Sequence, residues 1–174
     1  WVNKELQESD APFKIIFAHE PAYIATGLPL TPAELALYPQ YSWDPQLYFG
    51  PLNKFDGAAR RQSFIDMLGA NGAQLYAAGH VHNMSIGSVN DSAGHTVYQL
   101  IAGNGGAFPM NTQVLGSEAA MHDVSTELTK VGFTLVTVNP GANTMLMEYF
   151  VMNTTGSVWA KESFTTEIAG LGVH

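Results

Sequence analysis

No cysteine occurs in the chain, which excludes disulfide frameworks, Cys-containing zinc sites, iron–sulfur clusters and thiol nucleophiles. The redox compartment stays open. Charge is scarce as well: charged residues make up 13%, about half the ~25% of an ordinary soluble domain. Positive charge is scarcer still, with 7 Lys+Arg against 15 Asp+Glu and a net charge of −8. After Arg61 only Lys130 and Lys161 remain. Such a chain gains nothing from phosphate counterion release, so a nucleic-acid scaffold role is excluded. It also carries no polybasic membrane patch. No apolar run approaches the ~20 residues of a membrane-spanning helix. The first residues, Trp1-Val2-Asn3-Lys4-Glu5, lack both an initiator methionine and a signal-peptide pattern, and read as part of a longer protein.

What is present is apolar surface for a core. Hydrophobic residues are 46% of 174, enough for one domain or a substantial piece of one. Trp1, Val2 and Leu6 among polar residues predict a short amphipathic helix, and Ser9-Asp10-Ala11-Pro12 a turn. The run 13–18 (FKIIFA), bounded by Pro12 and Pro21, predicts a buried strand that ends at His19. Residues 26–56 differ in texture, with five prolines among Tyr38, Tyr41, Trp43, Tyr48, Phe49 and Phe55. They read as an insertion or lid, with a short helix over 32–37. Residues 58–70 predict a helix with Phe64, Ile65 and Leu68 on one face, stopped by Asn71-Gly72. A second buried strand, 74–78, leads into Gly79-His80. Five further strands follow, over 84–89, 96–102, 132–139, 144–150 and 158–165, with turns at 91–94, 140–143 and 153–156. The segment 103–130 reads as irregular, with a weak helical stretch at 117–123.

Gly79-His80-Val81-His82 is the sharpest motif. Six histidines in 174 residues give about 0.2 His-x-His pairs by chance, and about 0.02 with a preceding glycine. In an extended chain His80 and His82 point to the same side, ready for one metal or two adjacent ones. Gly79 is expected to let the backbone approach the site. His19, at the end of the other apolar strand, joins them if the two strands are neighbours. His19-Glu20 does not open a zincin motif, because residue 23 is tyrosine and Pro21 prevents the helix. His95, in an Asp-x-x-Gly-His turn, reads as a surface residue, and His122-Asp123 as a solvated pair. Gly103–Gly106 matches neither nucleotide-binding glycine spacing and reads as a tight turn bordering the site. Glycosylation sequons at Asn83, Asn90 and Asn153 carry little weight, and a glycan at Asn83 would block the site.

The succession FKIIFAHEPAY, RRQSFIDML and QLYAAGHVHN resembles the C-terminal half of calcineurin-like metallophosphoesterases, including purple-acid-phosphatase-like members. The resemblance covers roughly residues 13–166. It implies an α/β fold, the C-terminal part of a four-layer α/β/β/α sandwich whose N-terminal half is absent, so that 1–174 is a single partial domain. It implies hydrolysis of a small phosphoester by a metal-bridging hydroxide. His19 and His80 would ligate one metal and His82 the other, the ions being Fe, Mn or Zn. Tyr23 and Asn83, which flank these ligands, would contact substrate. The family's Asp-x-His, Gly-Asp-x-x-Asp and Gly-Asn-His-Asp/Glu motifs are absent, and with them the bridging carboxylate and the general-acid histidine. The nearest carboxylates in sequence, Glu20 and Asp91, match no ligand position of the family.

Two other readings stand beside this one. One is a non-catalytic or partner-complementing module; the other is a mononuclear zinc hydrolase with His19, His80 and His82 around one ion. On the metallophosphoesterase reading the missing N-terminal half acts in cis or in trans, and the chain alone is inactive. Absent cysteine, few lysines and the resemblance together place the protein outside the cytoplasm, secreted or periplasmic.

Overall fold

The computed structural model describes residues 1–23, 57–106, 122–127, 130–152 and 159–169. The expected insertion at 26–56 and the turn at 153–156 lie outside them. Two helices, α1 (Val2–Glu8) and α2 (Gly57–Ala70), accompany eight strands. These are β1 (Ile15–Phe17), β2 (Leu75–Ala78), β3 (Met84–Asn90), β4 (Thr96–Ala102), β5 (His122–Glu127), β6 (Gly132–Asn139), β7 (Thr144–Met152) and β8 (Trp159–Ala169). They form a five-stranded sheet of order β1-β2-β4-β3-β5 and a three-stranded sheet of order β6-β7-β8.

The two apolar runs that end in histidine are neighbours, as expected. β1 pairs in parallel with β2 through Ile15↔Leu75, Ile16↔Tyr76 and Phe17↔Ala77, and α2 lies between them in sequence. β2 also pairs in parallel with β4, so it is interior, and all four of its residues are buried. A strand covered on both faces has no polar alternation, which is why LYAA reads as one continuous apolar run.

Each face of β2 enters a different core. Tyr76 and Ala78 join Leu6 of α1, Ile65 and Leu68 of α2, and Val89 and Val97 of the β3–β4 hairpin. Leu75 and Ala77 join Met84, Ile86 and Leu100, and meet Met145, Met147, Tyr149, Val151 and Ile168 of the second sheet. Helices, large sheet and small sheet thus form three layers around two apolar interfaces. Burying this much Leu, Ile, Met and Tyr is the main stabilising term, at roughly 25 cal/mol per Å² of apolar area. Trp1, by contrast, is 90% exposed and contributes nothing to the helix packing.

Helix α2 ends on Gly72 at φ +67. The Gly72 N–H donates to Gly69 O at 3.0 Å and the Ala73 N–H to Leu68 O at 2.9 Å, closing a Schellman cap. Lys14 Nζ adds donors to two helix-end carbonyls, Leu6 O at 2.8 Å and Asn71 O at 2.9 Å. Two carboxylates fix the β3–β4 turn, Asp66 by tying it to α2 and Asp91 by bracing it from within. Asp66 accepts from the Ser92 N–H at 2.7 Å and from Ser92 Oγ at 2.9 Å. Buried Asp91 accepts from the Ala93 and His95 N–H groups and lies 2.7 Å from His95 Nδ1. His95 is therefore a surface residue with one buried partner.

One expectation needs correction. Residues 122–127, expected to be irregular or weakly helical, form strand β5, paired antiparallel with β3 through Met84↔Glu127, Ser85↔Thr126, Ile86↔Ser125 and Ser88↔His122. The segment (HDVSTE) holds one apolar residue, Val124, and neither an apolar run nor an alternation, so pairing to β3 decides its conformation where local pattern does not.

The sandwich has an open side at β1. Phe17 is 77% exposed, and an apolar cleft of about 310 Å³ runs between the two sheets there. Ile15, Phe17, Ala77 and Leu100 line it from the large sheet, and Thr134 and Val136 from β6.

Candidate metal centre

The backbone pairing of β1 with β2 continues past the last strand residues into the site. The Ala18 N–H donates to Ala77 O at 3.0 Å, and the Gly79 N–H donates to His19 O at 3.1 Å. This zipper carries His19 and His80 to the carboxyl end of adjacent parallel strands, the edge where open α/β sheets place their sites. His19 Nε2 lies 2.9 Å from His80 Nδ1, and the rings meet edge-on with centroids 4.9 Å apart.

The Gly-His-x-His segment is not extended. The Val81 N–H donates to Gly79 O and the Asn83 N–H to Val81 O, each at 2.7 Å. These i→i+2 bonds fold the segment into two successive γ-turns centred on His80 and His82. His80 takes φ +59, a left-handed conformation that few side-chain-bearing residues adopt. Strained backbone of this kind gathers at functional sites, where the surroundings must hold it. Gly79 does not owe its identity to close packing, because a Cβ there would meet only His19 O at 4.0 Å. Gly103 does: a Cβ there would lie 1.9 Å from Val81 O. Together with the Gly103 N–H donating to Asn83 O at 2.9 Å, this places the glycine-rich turn after β4 directly against the histidine segment.

Glu20 is the residue that sequence reasoning set aside. Its carboxylate Oε1 lies 3.5 Å from His80 Nδ1, and the ligand atoms of His19, Glu20 and His80 all fall within 4.8 Å of one another. The signal was its place beside His19 in the strand-end loop. The Glu20 carbonyl accepts from the Tyr76 hydroxyl of β2, which anchors the loop. Burial, and next the charge of Glu20, push the Tyr76 phenol up to about 12.

His82 does not belong to this group, so a single ion held by three histidines is not the arrangement observed. Tyr23 and Asn83 are buried, at 3% and 0% exposure. The Tyr23 N–H donates to Gln99 Oε1 at 2.8 Å, its carbonyl accepts from Gln99 Nε2, and its ring lies under the Arg61 guanidinium at 5.6 Å. Asn83 leaves both side-chain polar atoms without a hydrogen-bond partner. His19, Glu20 and His80 have the donor chemistry of a transition-metal site, imidazole with carboxylate. No helix among the described residues is long and apolar enough to cross a membrane.

No family model and no curated protein sequence matches the chain. Solved structures do. Purple acid phosphatase PPD1 from yellow lupin seeds superposes with a TM-score of 0.53 at 17% identity, over 97% of this chain and 27% of that one. PhoD superposes with a TM-score of 0.55 at 14% identity, over 97% of this chain and 32% of its own. GAP50, described as the anchor in the inner membrane complex of Plasmodium, gives 0.52 at 16% identity, over 95% and 39%. The chain thus spans well under half the length of each. At these identities the likeness is one of fold alone, a mixed α/β fold shared with a purple acid phosphatase and PhoD.

Proposed function

We propose that this chain is the part of a metal-dependent phosphoesterase that supplies the Gly-His-x-His segment and the strand-end histidine. The observation that carries the reading is the 2.9 Å approach of His19 and His80 across neighbouring parallel strands, at the carboxyl edge of a phosphatase-like sheet. On this reading His19 and His80 hold one ion and His82 serves a second. The ions are drawn from Fe, Mn and Zn, which imidazole and carboxylate ligands suit. Bound metals in such sites neutralise phosphoryl charge and activate water. The chain's own share is to orient the imidazoles. A small phosphoester outside the cytoplasm is the substrate class.

The sequence offers no bridging carboxylate in a family motif and no general-acid histidine. We therefore assign full catalysis to this chain together with the rest of the sandwich, joined in cis or added in trans. Exposed Phe17 and the apolar cleft at β1 support that assignment, since both suit further strands of the same fold. Fold alone does not make an enzyme, and GAP50 is titled an anchor. A test separates the two. The protein joined to its N-terminal half is assayed on a chromogenic aryl phosphate with Mn, Zn or Fe. Turnover that His80→Ala reduces at least a hundredfold supports the phosphoesterase, whereas a folded, metal-loaded protein without turnover supports the non-catalytic module.

A further inference from the structure

We infer that the Glu20 carboxylate completes, with His19 and His80, a site for one divalent transition-metal cation lying wholly within this chain. The inference rests on the reading of His19 and His80 as metal ligands, and it adds a ligand that the family's motifs do not provide.

Geometry comes first. Ligands about 2.0–2.2 Å from a tetrahedral ion stand roughly 3.3–3.5 Å apart. The His80–Glu20 separation is 3.5 Å and the His80–His19 separation 2.9 Å, so a shift of a few tenths of an ångström between the rings admits an ion. The three groups come from fixed backbone: His19 is tied to Gly79, Glu20 to Tyr76, and His80 is held at φ +59.

Charge comes second. Two neutral imidazoles leave the full charge of a divalent ion uncompensated, and one carboxylate halves it. Two histidines and a glutamate form a donor set that holds zinc while leaving a position open. Access is the third condition. The Glu20 side chain is 47% exposed and that of His80 29%, which leaves the ion a path from solvent. The competing explanation of the same contacts is an ion pair between Glu20 and a protonated His80. It predicts no dependence of metal affinity on the carboxylate.

The test is calorimetric titration of the full 174-residue chain with Zn²⁺ and with Mn²⁺, paired with absorption spectra of the Co²⁺ form. Glu20→Gln keeps the size of the side chain and removes its charge. Glu5→Gln, an exposed change on α1, is the control, and circular dichroism checks folding. The expected result is one ion per chain, affinity lowered about tenfold or more by Glu20→Gln, and an altered Co²⁺ spectrum. Should Glu20→Gln disturb the fold, Glu20→Asp takes its place, with a smaller loss expected. Affinity unchanged in Glu20→Gln but lost in His19→Ala would overturn the role of Glu20 and leave the histidine pair standing. A folded wild-type chain that binds none of these ions would overturn both.

Discussion

The carbonyl oxygen of Val81 occupies the space into which a side chain at Gly103 would grow, 1.9 Å from where its Cβ would stand. Val81 is the residue between the two histidines of the motif, so residue 103 limits the shape of that segment directly. Gly103→Ala is expected to destabilise the fold by about 1–3 kcal/mol, as backbone rather than a flexible side-chain end must give way. It is also expected to weaken metal binding. Urea unfolding and zinc titration of the variant check both, and unchanged values in both would show the turn to be free to move.

Tyr76→Phe deletes the donor to the Glu20 carbonyl. A loss of about 0.5–1.5 kcal/mol is expected from one such bond. The pH dependence follows from the phenol's shift from 10.0 to about 12. A raised value in the folded state means that the neutral phenol stabilises the fold below pH 10.0, and that this contribution disappears as pH rises toward about 12. Wild type and Tyr76→Phe should therefore converge in chemical stability across that interval.

Asp91 governs the acid side. Burial alone would raise its carboxyl, but the His95 ring and the His95 and Ala93 N–H groups outweigh burial and hold it below 3.8. Gln62 and Ser92 do the same for half-buried Asp66. A depressed value contributes stability above the ordinary carboxylate value, lost as pH falls through the lower folded one. Asp91→Asn should thus flatten the loss of stability below 3.8, measured by melting at stepped acid pH.

At the open edge, Phe17→Lys should reduce self-association of the isolated chain. A charged residue on an edge strand discourages pairing with another edge. Because Phe17 is 77% exposed, the folding free energy should change by no more than about 0.5 kcal/mol. Sedimentation across a concentration series reports the effect, and an unchanged mass distribution would place the sticky surface elsewhere.

Elements with one decisive local signal were legible in the sequence. The apolar runs gave β1 and β2, and β2 needs no alternation because it is buried on both faces, whereas β1, expected to be buried, is a half-buried edge with Phe17 exposed. Asn71-Gly72 ended α2 because only a left-handed residue closes that cap. Where conformation depends on partners, the reading failed. β5 is a strand because β3 pairs with it, and the γ-turns at His80 and His82 depend on the turn from β2 into β3. Glu20 was passed over because family motifs place the carboxylates elsewhere, and only the loop geometry after β1 reveals its nearness to His80.

His19 and His80 stand 2.9 Å apart in space and 61 residues apart along the chain, with α2 inside the loop they close. An unfolded chain does not hold them together, so a cation bound at this point would recognise the folded crossover. Its affinity then returns as resistance to unfolding, about 4.1 kcal/mol when the free ion is a thousand times its dissociation constant. For a protein without a cysteine, such an ion would take the part of a removable cross-link, and a chelator would open it as a reductant opens a disulfide.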